Sequence, residues 1–202
     1  MKKKYRVTYN APVVLTFILI SLIATALNYV TSGASNRAVF MTYHSSLKSP
    51  LTYFRFFTHV FGHADWEHFI GNASYLLLFG PVLEEKYSSG KLWKVMVITS
   101  LVTGLVNYIF FPNTALCGAS GIVFAFILLI SFTDFKEGEI PLTFIMVAIF
   151  FIGQQVYQGI FQKDNISQLS HIVGGIIGAA AGYQLNRKTA GQVSFPEEKK
   201  VT

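Results

Sequence analysis

Four residues of this chain have types and spacing suited to covalent chemistry: Ser120, His171, Asn72 and His68. Ser120 sits in Gly118-Ala119-Ser120-Gly121, at the start of a long apolar run. Most serines in apolar helices only bond to a carbonyl one turn back. Flanking glycines lack Cβ atoms and let another helix, or a substrate backbone, approach the hydroxyl. A serine beside a histidine base is the minimum set for nucleophilic acyl transfer. Asn72 and His68 offer hydrogen-bond donors to the oxyanion that such a reaction develops. Taken alone, each residue has a plainer role. The glycines and serine suit small-residue helix packing, and His171 and Asn72 suit hydrogen bonds between helices. Only a common depth turns them into a site, so the elements that carry them decide the matter.

Those elements are apolar. Of 202 residues, 52% are hydrophobic and 13% charged, against about 25% charged in soluble domains. The pattern is that of a polytopic membrane protein with an all-α bundle of six transmembrane helices. The net charge of +6 does not indicate nucleic acid, because most basic residues flank apolar runs, as membrane orientation requires. Cys117 is the one cysteine in the sequence, which rules out an internal disulfide and a cysteine metal cluster. No cofactor or metal is expected.

The spans are read at residues 11–30, 66–83, 92–111, 115–132, 140–161 and 169–185. Residues 1–10 form a basic N-terminal segment, and 186–202 a polar cytoplasmic tail. The first apolar run resembles a signal peptide in layout but exceeds the roughly 7–15 residues of a usual h-region, so it reads as a retained helix. Residues 31–65 are a long connection rich in aromatics, including Tyr43, Tyr53, Phe54, Phe56, Phe57 and Phe61. Rings with a few polar tips favour the headgroup level, so this loop is read as partly structured and interfacial.

Spans two, four and six then run the same way. His68 and Asn72 open span two and share one helix face, four residues apart. Ser120 lies about five residues into span four and His171 about two into span six, within one turn of each other in depth at about 1.5 Å per residue. Gly174 and Gly178 give span six a small-residue face, and Gly118 and Gly121 give one to span four, so these two helices are expected to touch closely. That contact, aided by Phe124, would set the His171 ring against Ser120.

With these motifs in this order, the chain resembles the rhomboid intramembrane serine proteases from Leu51 to about Gly182. The nucleophile motif Gly-x-Ser-Gly falls on Gly118 to Gly121, the base motif His-x-x-Gly-x-x-x-Gly on His171, Gly174 and Gly178, and His-x-x-x-Asn on His68 and Asn72. His59 and His63 match the family's loop histidines, and Glu84 its structural helix-end glutamate. The resemblance implies a Ser120–His171 dyad with no acidic third member. It implies an oxyanion site from His68, Asn72 and the Ser120 backbone N–H. Its substrate would be a single-pass transmembrane protein in the lipid bilayer, cleaved near the extracytoplasmic end. Two positions depart from the family pattern. The loop's Trp-Arg pair is Phe54-Arg55, and the aromatic after the serine is Phe124 in place of tyrosine.

Other classes fit less well. A zinc intramembrane protease needs His-Glu-x-x-His, which is absent, and His59 and His63 have no glutamate between them. Asp65, Asp134 and Asp164 fall in or beside loops, against an aspartyl protease. No paired half-helices suggest a transporter. A catalytically inactive rhomboid-like protein that binds membrane clients is the remaining alternative. Oligomeric state is not legible.

Twelve of the sixteen Lys and Arg residues fall on the side of the N-terminus and four (Arg37, Lys48, Arg55 and Lys163) on the other. The positive-inside rule then makes both termini cytoplasmic. Reporters fused at either terminus should read cytoplasmic and one inserted at Asn113 external. A C-terminal reporter found outside would break the depth argument.

Overall fold

A computed structural model of the chain describes residues 5–133, 139–161 and 168–190. Residues 1–4, the charged connection at 134–138, the connection at 162–167 and the tail beyond 190 lie outside the described residues. Among the described residues the fold is all-helical. The helices are α1 (Pro12–Val30), α2 (Pro50–Thr58), α3 (Trp66–Tyr87), α4 (Ser89–Phe110), α5 (Ser120–Ile130), α6 (Leu142–Phe161) and α7 (Gln168–Ala190). A short π-helical turn, Asn36–Phe40, precedes α2.

Local signals explain several of these limits. Pro12 and Pro50 occupy first turns, where the missing N–H costs nothing. Asp65 caps α3 by accepting from the His68 N–H at 2.8 Å. The expected turn between spans two and three is shorter than the sequence suggested. Ser88 alone, at φ 77°, separates α3 from α4. At the other end of the chain, α7 continues to Ala190, past the expected limit at 185. Asn186 is buried there and donates to the Phe132 carbonyl at 2.9 Å and the Tyr87 hydroxyl at 2.8 Å.

The largest difference from the sequence reading is α5. Residues 115–119 are not helical. Leu116 pairs with Thr42 of the long connection by two backbone hydrogen bonds of 2.8 and 2.9 Å, and residues 118–119 form a bend. Helix α5 therefore starts at Ser120 and has 11 residues. At 1.5 Å per residue it is about 16 Å long, half of a bilayer's hydrocarbon core. It is apolar all round and buried all round, with Ile122, Ala125, Phe126 and Leu129 fully enclosed. Helices α3, α4, α6 and α7 surround it. Only α1 and α4, among the described residues, are both long and apolar enough to cross a membrane by composition alone. Even so, the outside of the bundle is greasy. Leu19, Ile23, Leu78, Ile98, Ile149 and Phe150 are all exposed, as suits a bundle covered by lipid.

Helix α7 meets α5 along one glycine face. A Cβ placed on Gly174 would overlap the Gly121 carbonyl, and one on Gly178 the Ala125 carbonyl. Gly182, one turn on, has the Phe132 ring in the same position. The four-residue spacing keeps all three on one face, so the α7 backbone lies directly on the α5 backbone.

Two polar anchors hold the rest of the frame. Glu84, buried at the end of α3, accepts from the Val13 and Val14 N–H groups at 2.9 and 3.1 Å and from the Ser89 hydroxyl at 2.7 Å. It caps the positive end of α1, whose N-cap Ala11 has no side chain to do so. Arg55 on α2 donates to the Ala38 carbonyl at 3.0 and 2.9 Å and lies over the Tyr43 ring. Arg55 thus anchors the long connection between α1 and α3 while Phe54 is exposed.

The glycine face gives opposite predictions for neighbouring positions. Gly178→Val must push α7 off a backbone carbonyl, and overpacking of this kind should cost about 1–3 kcal/mol of stability or more. At Gly175 an added Cβ meets only the Leu128 side chain at 3.5 Å, an ordinary contact. Gly175→Ala should be neutral or stabilising by up to about 1 kcal/mol, from lost chain entropy. Thermal unfolding of the two variants in detergent reads the difference, and equal destabilisation would contradict the packing.

Candidate active site

Ser120 opens α5. The first N–H groups of a helix have no acceptor within it, and α5 has no side-chain cap, since its N-cap is Ala119. The turn that brings the chain into this position depends on Gly118, at φ 124°, a conformation that L side chains avoid. Its amide donates to the His59 carbonyl at 3.0 Å, which ties the turn to the end of α2.

From α7, His171 reaches the serine. Its Nε2 is 2.8 Å from the Ser120 Oγ. One face of its ring stacks on Phe124 at 4.7 Å with 4° between planes. On the other ring nitrogen, Nδ1 is 2.6 Å from Oε1 of Gln155 on α6. Gln155 did not stand out in the sequence. It lies 16 residues before His171 in an apolar helix, one of two adjacent glutamines, and no motif marks it.

His68 and Asn72 come from α3 to the same place. A Cβ on Gly118 would lie 2.6 Å from His68 Cε1 and 3.7 Å from Asn72 Nδ2. This corrects the expected role of Gly118. The sequence reading gave it to the contact with span six, but its bare backbone makes room for His68 and Asn72. Gly121, by contrast, does meet α7. Asn72 is buried, and among the described residues its Nδ2 has no hydrogen-bond partner. An unused buried amide donor is costly, and here it faces the turn that carries Ser120. Together these groups line a cavity of about 700 Å³ with Ser120, His171, Phe124, Tyr75 and Cys117 on its walls and Glu67 and Asp65 among its polar groups.

The loop histidines stand behind this layer. The His63 ring meets the His68 ring edge-on at 5.0 Å, and its carbonyl accepts from Asn28 and Asn36. His59 Nδ1 lies 3.2 Å from the Arg55 carbonyl. Burial pushes both imidazoles down to about 4, with the neighbouring His68 adding to the effect at His63. Both are therefore neutral near pH 7 and act as packing and hydrogen-bonding groups. No cluster of three or more His, Cys, Asp or Glu among the described residues could hold a metal ion.

The arrangement has the parts of an acyl-transfer site: a hydroxyl bonded to an imidazole, a helix N-terminus, and a spare buried amide donor. Comparisons with known proteins agree with it at the level of family. A rhomboid domain model matches residues 50–188. Rhomboid-related protein 1 of Caenorhabditis elegans is 29% identical over 138 residues, covering 64% of this chain and 39% of that protein. Rhomboid-related protein 2 of Mus musculus is 30% identical over 158 residues, covering 68% and 52%. Rhomboid protease GlpG of Haemophilus influenzae is 28% identical over 138 residues, covering 64% and 68%. The chain thus spans about half or less of the rhomboid-related proteins it matches. With its matched region covering more than half of the sequence, this chain belongs to the rhomboid family and is an integral membrane protein.

Proposed function

We propose that the chain is an intramembrane serine endopeptidase that cleaves single-pass transmembrane segments near their extracytoplasmic end. The observation that carries this reading is the 2.8 Å hydrogen bond between Ser120 Oγ and His171 Nε2. In the proposed reaction the Ser120 hydroxyl passes its proton to Nε2 as its oxygen attacks the scissile carbonyl. The carbonyl oxygen gains charge and is met by the Ser120 N–H, Asn72 Nδ2 and His68. The His171 imidazolium then gives its proton to the leaving amine, and water, activated by the same base, releases the acyl group.

The membrane arrangement belongs to the same proposal. Six helices, α1 and α3 to α7, would cross the bilayer, with both termini cytoplasmic. Because α5 is only about 16 Å long, its N-terminus would lie below the membrane surface. The non-helical segment at 115–119 would reach down to it from the external side. A substrate helix shields its peptide bonds with its own hydrogen bonds, so its end must unwind before Ser120 can attack. The cavity over the dyad, about 700 Å³, has room for several residues of extended chain. An inactive client-binding protein would have no use for a serine hydroxyl held on a histidine with an unspent amide donor beside it.

Purified wild-type protein should take up a fluorophosphonate probe and cleave a model transmembrane substrate. Ser120→Ala and His171→Ala should each abolish both, and the double variant should add little, because the two act as a unit. Robust cleavage in either single variant would overturn the assignment. Asn72→Ala should lower kcat by up to about 10²–10³ with little change in KM, since its donor acts mainly on the transition state. A change confined to KM would instead make Asn72 a binding or packing residue.

A further inference from the structure

Gln155 has no place in the dyad derived from the sequence, yet its amide oxygen lies nearer to the His171 ring than the Ser120 hydroxyl does. Its Oε1 lies 2.6 Å from His171 Nδ1, on the side of the ring opposite Ser120, and Gln155 is 3% exposed. We infer that Gln155 is a positioning residue for His171, and that its amide oxygen fixes the imidazole tautomer that can act as a base. The inference rests on the proteolytic reading of Ser120 and His171.

The chemistry follows from what each atom can do. An amide oxygen only accepts, so the proton of the neutral imidazole must sit on Nδ1. Nε2 then carries the lone pair, and that lone pair faces the Ser120 hydroxyl at 2.8 Å. The other tautomer would point an N–H at the serine and could not take its proton. When Nε2 accepts that proton during attack, Nδ1–H stays on Gln155 and the amide dipole favours the imidazolium.

Helix α6 delivers this group with a second one. Phe151 is four residues before Gln155, on the same helix face, and meets the edge of Phe124 at 5.8 Å and 83°. Phe124 in turn stacks on His171 at 4.7 Å. One face of α6 thus constrains the ring twice, in its plane through Gln155 and across its face through Phe151 and Phe124. A neutral amide suits the position. A carboxylate held here would carry a desolvation cost that an amide avoids.

The test uses the full chain in detergent micelles and in proteoliposomes. Nitrogen-15 histidine NMR of the wild type should show His171 with a downfield proton on Nδ1 and an unprotonated Nε2. Gln155→Leu, of similar size but without an acceptor, should lose that resonance. It should also slow fluorophosphonate labelling and lower kcat about tenfold, the worth of one net hydrogen bond, with KM little changed. Gln155→Glu restores an acceptor oxygen at the same reach and should recover most of the labelling rate lost in the Leu variant. A proton on Nε2 in the wild type would overturn the inference without any variant having to fold. So would wild-type labelling in Gln155→Leu, or a Glu variant as slow as Leu. If the wild type neither labels nor cleaves, but its Nδ1 proton is present and disappears in Gln155→Leu, the proteolytic reading fails while Gln155 is still shown to set the tautomer.

Discussion

Backbone-on-backbone contact between α7 and α5 is the constraint on which the rest of the site depends. Gly174 and Gly178 leave no room for a Cβ against the Gly121 and Ala125 carbonyls. Ser120 is the residue before Gly121, and His171 is three residues before Gly174. The close approach therefore fixes the separation of the Ser120 and His171 side chains within one helical turn of each. Inside a membrane no hydrophobic force favours one helix pair over another, so small-residue packing and hydrogen bonds must set such distances. A Ser–His hydrogen bond alone would be too weak to hold two helices, being worth about 1 kcal/mol net. The glycine face does the holding, and the hydrogen bond reads out the result.

A second constraint places Ser120 at the first position of a helix, on the wall of the cavity, and not in the middle of a helix. The chain meets it by shortening α5. The backbone pair between Thr42 and Leu116, the bond from Gly118 N–H to the His59 carbonyl and the positive φ of Gly118 together keep 115–119 out of the helix. Both hydrogen-bonded contacts come from the long connection between α1 and α3. That connection is itself pinned by Arg55 on the Ala38 carbonyl and by Asn28 and Asn36 on the His63 carbonyl. The long connection is thus part of the scaffold that places Ser120, and Glu84 closes the frame at the far end by capping α1.

Much of this was legible in the sequence, for reasons that also mark where legibility stopped. Equal depth of Ser120, His171, His68 and Asn72 followed from counting residues into apolar runs, and the structure brings all four to one cavity. The spacing of Gly174 and Gly178 announced a close helix contact. Hydropathy, however, does not distinguish an apolar non-helical segment from an apolar helix, so the sequence alone starts α5 five residues early. Gly118 makes room for His68 and Asn72 and not for α7, because a glycine in a sequence does not say which element will use the space it leaves. The end of α7 was missed because Asn186 looks like a polar tail residue until its partners, the Phe132 and Gly182 carbonyls and the Tyr87 hydroxyl, come from across the fold. Gln155 was invisible for the same reason, since its meaning lies entirely in what faces it.

The most direct test of this account is the structure of the fluorophosphonate adduct of the wild-type protein in a lipid environment. The account predicts phosphorus bonded to the Ser120 Oγ, and the phosphoryl oxygen, which stands where the oxyanion would, within hydrogen-bond distance of Asn72 Nδ2 and the Ser120 N–H. It also predicts that Gly174 remains in contact with the Gly121 carbonyl. Phosphorus on another residue would contradict the account, as would a phosphoryl oxygen turned away from Asn72 or α7 separated from α5.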